Sequence, residues 1–130
     1  MMMETKNKLT IDKISAKIGF DLAKKFTNKD DADKLETIVT KAIGVLIEDG
    51  LLAYVIWLKS RGEKERKYAT EILNKSKDLI RELDLATTDD PIDMALEISS
   101  SIEKTLLARQ LLERMLVYAR YRAKALQKGE

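Results

Sequence analysis

The chain has 130 residues, 45% hydrophobic and 35% charged, with five Gly and one Pro; this predicts a single helix-rich domain over 1–130 and excludes collagen-like, low-complexity and disordered classes. It contains no histidine and no cysteine, which excludes His bases, Cys nucleophiles, Cys/His zinc sites and disulfides and leaves carboxylates, lysines and hydroxyls as the available chemistry. A formal charge of +2 is too small for binding nucleic acid through bulk charge, so any such role rests on how the charges are arranged.

Ile11, Ile14, Ile18, Leu22 and Phe26 recur at spacings of three and four and predict a first helix with one apolar stripe. Asn28 to Asp33 breaks it, with Asp30 or Asp31 expected to cap a second helix whose stripe is Leu35, Ile38, Ala42, Val45 and Leu46. Asp49-Gly50 ends that helix, because glycine tolerates the positive φ common at a helix C-terminus. The run Leu51 to Leu58 is apolar on all sides and is read as a buried helix, with Tyr54 and Trp57 as core residues. Lys59-Ser60-Arg61-Gly62 is a basic turn, followed by a helix from Glu63 to Leu83 with Ala69, Ile72, Ser76, Leu79, Ile80 and Leu83 inward. Asp90-Pro91 opens a short helix to Ile98, and Ser100-x-x-Glu103 matches a capping box for a last helix reaching Lys128. The expected fold is an all-α, single-domain bundle of five to six helices.

No apolar core of a secretory signal follows MMMETKNK, so the protein is expected in the cytoplasm. Residues 42–58 look membrane-like, but Glu48 and Asp49 would lie near the bilayer centre, and a membrane partner is rejected.

Charge is distributed in blocks. Residues 1–29 hold seven bases and three acids, 30–50 two bases and six acids, and 59–81 eight bases and four acids. Residues 82–103 hold seven acids and no base, and 104–130 seven bases and two acids. On a helical projection of the last helix, Leu107, Leu111, Leu112, Met115, Leu116, Ala119, Ala123 and Leu126 form the core face. Opposite lie Arg109, Arg120 and Lys124, within about 60° of one another, with Glu113 among them and Tyr121 at the edge. Such a row suits the phosphates of a nucleic-acid strand, though it is also what an ordinary solvated helix face looks like. Arg122 projects into the apolar arc, where a snorkelling side chain or a partner contact would explain it. Asn28, Asp30, Asp31 and Asp33 lack the glycine and ligand spacing of a calcium loop, and the pairs Asp89-Asp90 and Glu48-Asp49 sit where helix-boundary acids belong. No metal, no cofactor and no enzymatic activity are expected.

The segment Ile47 to Lys59 (IEDGLLAYVIWLK) resembles the asparagine-glycine-leucine signature, followed by an aromatic-aliphatic run and a lysine, of the small helical subunit of Cmr-type (type III-B) CRISPR RNA-guided effector complexes, the fifth protein of the Cmr set. Ala108 to Ala123 (ARQLLERMLVYARYRA) is similar to that family's closing helix. Asp49 stands in place of the family's Asn, and Tyr118 where a Trp is common. The resemblance implies a structural role in antiviral defence. Several copies form a minor filament beside the repeated backbone subunits, contact the large subunit and line the channel where guide RNA pairs with target RNA, with self-association between copies. Base pairing, and not this protein, then reads the sequence. Lys59 is the residue matched most directly to the family motif and Arg120 the next; Arg61, Arg109 and Lys124 are added from the residues themselves. A second reading is a self-associating helical adaptor whose acidic stretch 82–103 binds a basic protein partner without nucleic acid. A third, a helix-turn-helix DNA regulator, is disfavoured because the Asp49-Gly50 turn leads into an apolar run and not an exposed recognition helix.

Overall fold

The computed structural model describes the backbone of residues 2–129 and the side chains of residues 10–129. The described residues form six α-helices and no strand: α1 (Met2–Lys24), α2 (Lys29–Asp49), α3 (Leu51–Lys59), α4 (Glu63–Glu82), α5 (Pro91–Ser99) and α6 (Ile102–Gln127). The protein is all-α. α6, about 39 Å long at 1.5 Å per residue, is the spine and packs chiefly against α1 and α2. α3, α4 and α5 close the remaining side. One continuous core runs through all six helices, with Leu35, Leu46, Tyr54, Ile72, Leu112 and Met115 fully buried.

Local chemistry explains where the helices begin and end. The first break is capped by Asn28, not by Asp30 or Asp31: the Asn28 backbone is extended (φ −74°, ψ 153°) and its Oδ1 accepts the Asp31 N–H at 2.8 Å. Asp30 and Asp31 lie instead in the first turn, where their charge suits the helix dipole. Gly50 ends α2 and starts α3 at φ +93°, the left-handed region open to glycine. Asp90 accepts from the N–H groups of Ile92 and Asp93 ahead of Pro91, as expected. The capping residue of α6 is Ser101, whose hydroxyl accepts the Lys104 N–H at 3.2 Å; Ser100 closes α5 instead, so the expected capping box with Glu103 does not form. α4 stops at Glu82, one residue early, because Asp84 adopts φ 53° and the Leu85 N–H returns to the Ile80 carbonyl.

One burial expectation is corrected. α3 is a helix, but it is not buried all round: Ile56 is 48% exposed, and Trp57 is only half-buried. On α4, Tyr68 joins the inward residues and packs its ring 4.9 Å from Phe26. In the centre, the Tyr54 hydroxyl shares a 2.7 Å hydrogen bond with Ser76, which bonds in turn to the Ile72 carbonyl. Burial raises the Tyr54 pKa and keeps this phenol protonated.

Candidate nucleic-acid interface

Arg109 and Lys124 of α6 reach toward α2, while Arg114 pairs with Asp12 of α1. Helix α2 runs antiparallel to α6, with Glu36 beside Lys124 and Gln127, and Ile47 beside Arg109. Arg109 Nη2 donates to the Ile47 carbonyl at 2.8 Å. That carbonyl belongs to the last turn of α2, which carries no base of its own, so Arg109 supplies the positive charge that a helix C-terminus favours. Lys124 Nζ lies 3.7 Å from Glu36, and Gln127 donates to the same carboxylate at 3.0 Å. Arg120 is half-buried between these two levels and has no ion pair among the described residues.

Lys59 and Arg61 come from the other flank. Arg61 donates through Nε to the Trp57 carbonyl at 3.0 Å and lays its guanidinium 4.2 Å above the centre of the Trp57 ring. Glu65 sits 3.7 Å from Arg61 and 3.8 Å from Lys41 of α2. Lys59 is exposed at the end of α3, with no ion pair among the described residues. The five expected residues therefore do not form one row. Arg109, Arg120 and Lys124 stand on one side of α2, and Lys59 and Arg61 on the other.

Between them runs the outward face of α2, which carries only small side chains from Thr37 to Gly44 and is bounded one turn before and after by exposed Asp33 and Glu48. Thr37, Thr40 and Gly44 follow at spacings of three and four and are all exposed, and a Cβ at Gly44 would meet nothing within 4 Å. Both threonine hydroxyls are turned back to their own helix, on the Asp33 and Glu36 carbonyls. On the α4 side this face opens into a depression of about 790 Å³ bordered by Lys34, Thr37, Lys64 and Lys67. Acids are also present: Asp30 pairs with Lys34, Asp31 with Lys67, and Glu65 with Lys41. The Tyr68 hydroxyl donates to Asp31 at 2.5 Å, and this bond, with Lys67, lowers the Asp31 pKa from 3.8 to about 2. Asp31 is thus ionised throughout the physiological range.

Lys41 and the Thr37–Thr40–Gly44 stripe were not among the residues singled out from the sequence. Their signal was available: the three small residues lie opposite the stripe Leu35, Ile38, Ala42 and Leu46 at helical spacing. Tyr121, expected at the edge of the basic row, is 65% exposed. Arg122 is half-buried and engaged within the fold. Among the described residues, no group of three or more acidic side chains is placed to hold a metal ion. No helix of the described residues is long and apolar enough to cross a membrane. No family model, curated protein or solved structure matches the chain.

Proposed function

We propose that this protein is a non-catalytic small subunit of a type III-B, Cmr-type RNA-guided effector complex, presenting the outer face of α2 to a ribose-phosphate strand held by its partner subunits. The observation that carries this reading is the bare stripe Thr37, Thr40 and Gly44 flanked by Arg109, Arg120 and Lys124 on one side and Lys41 and Arg61 on the other. Small side chains let a backbone approach closely, while long cations on either side reach its phosphates. In the pairs Lys124–Glu36 and Lys41–Glu65 the lysine is the exposed partner, at 3.7 and 3.8 Å from a part-buried carboxylate, so the lysines can turn to a phosphate at modest cost. The segments Ile47–Lys59 and Ala108–Ala123 that resemble the Cmr family supply α3 and most of α6, which frame this face. The partners in this reading are the backbone and large subunits, guide RNA and target RNA, in the cytoplasm.

Charge reversal at Arg109 or Lys124 also breaks contacts within the fold, so Lys59→Glu with Arg120→Glu is the cleaner test. Co-purification of the tagged protein from its host is expected to return effector subunits with small RNAs. In the assembled complex, the double variant is expected to release RNA at lower salt, with the slope of log affinity against log salt reduced by roughly 1 to 2, and with an unchanged melting temperature for the free subunit. Equal RNA retention across the salt series, or co-purification with protein alone, overturns the reading.

A further inference from the structure

At the far end of α2 the surface changes character. Ile47 is 46% exposed, Ile102 80% and Leu106 56%; Ile102, Leu106 and Arg109 follow at spacings of four and three along one face of α6, and the bond from Arg109 to the Ile47 carbonyl brings the last turn of α2 to that face. Exposed Glu48 and Asp49 follow Ile47 in the chain, and exposed Glu103 follows Ile102. Arg109 turns its guanidinium back onto the Ile47 carbonyl at the C-terminal end of α2, whose partial negative charge offsets it in part, and Lys104 projects from a different side of α6. The patch also lies at the end of the stretch 82–103, which has seven acids and no base.

We propose that Ile47, Ile102 and Leu106, rimmed by Glu48, Asp49 and Glu103, dock a basic amphipathic helix of a partner protein. The carboxylates repel the phosphates of RNA, and the aliphatic side chains offer its bases no aromatic ring to stack on. What complements both features is a helix carrying apolar residues one turn apart, to lie across Ile102 and Leu106, with lysines or arginines beside them to meet the acidic rim. This surface adjoins the outer face of α2 at Arg109, and the apolar residues that define it stand whether or not that face binds RNA.

The test uses the full chain and a synthetic leucine-lysine peptide with leucines at helical spacing, set against a peptide of the same composition in scrambled order. In a titration followed by ¹⁵N NMR, the amphipathic peptide is expected to bind saturably, with shifts centred on residues 45–50 and 101–110. Ile102→Ser with Leu106→Ser is expected to weaken binding by at least about tenfold, since each apolar side chain contributes through its burial. Glu48→Lys with Glu103→Lys is expected to do the same at low salt, and keeps the test intact if the serine variant melts early. Equal binding of the scrambled peptide, shifts centred on other acidic surfaces, or no saturable binding overturns the proposal. So does sedimentation showing that the free chain dimerises through this patch, with the serine variant returning it to monomer, because the occupant is then a second copy.

Discussion

The two flanks of α6 are built by different rules. Toward α1 the helices touch through backbone: Gly19 lies so close that a Cβ there would stand 2.4 Å from the Met115 carbonyl oxygen. Ser15, one turn earlier, is fully buried, and the rim is closed by Asp12, which accepts from Arg114 and Tyr118, with Phe20 edge-on to the Tyr118 ring at 5.6 Å. Toward α2 the outer rim is made of long side chains, Arg109, Lys124 and Gln127, reaching a carbonyl or a carboxylate. Small residues make a seam that admits no new atom. Long, partly solvated side chains make one that exchanges partners at low cost, so the α1 flank is the more rigid of the two.

The contrast breaks first at Gly19. Gly19→Ala is expected to lose about 3 kcal/mol, because the obstructing atoms belong to the α6 backbone and cannot swing away; chemical denaturation of the two proteins measures it. A result near zero would mean that the α1 seam is as adaptable as the other. Ser15→Ala sharpens the same point with opposite sign. Its hydroxyl is buried without a hydrogen-bond partner among the described residues, so removing it is expected to raise stability by about 1 kcal/mol. On the α2 flank, Arg109→Ala should cost about 0.7 kcal/mol through loss of the charged contact at the helix terminus, and Lys124→Ala only about 0.3 kcal/mol, as for exposed pairs generally. If Lys124→Ala proves as damaging as Gly19→Ala in thermal melts, the two flanks are not different in kind.

A pH experiment separates both flanks from the α2–α4 contact. Asp31 titrates near 2 in the folded chain, against 3.8 ordinarily. Its unfolded form therefore binds the proton first, and the stability it contributes is complete above about pH 5 and lost progressively as pH falls toward 2. Tyr68→Phe removes the largest cause of the shift, and the melting temperature of that variant is expected to fall less steeply between pH 4 and pH 2 than that of the parent. Parallel acid limbs in the two melting profiles would assign the effect to other carboxylates.

Much of the fold was legible because it depends on neighbours in sequence. The stripe Leu35, Ile38, Ala42 and Leu46, the Asp49-Gly50 stop and the Asp90-Pro91 start all depend on helical spacing or local backbone chemistry, and the helices form where these signals predict. Boundaries were missed where several capping residues adjoin: Asn28 against Asp30, and Ser101 against Ser100, are chosen by the turn each can adopt. The basic row on α6 was legible as a row, but its partners were not, since Glu36 and Ile47 are far from Lys124 and Arg109 in the chain.

What the sequence determined by itself is therefore the helical content, the inward face of each helix and the residue types available for chemistry, because these follow from side-chain periodicity and composition. Tertiary structure alone decided that α2 separates Lys59 and Arg61 from Arg109, Arg120 and Lys124, that Arg61 rests on Trp57, and that the Ile47 carbonyl meets Arg109 of α6. Such neighbours are set by how helices pack around a shared core, where the burial of apolar surface fixes the arrangement and the charged side chains take the partners it leaves within reach.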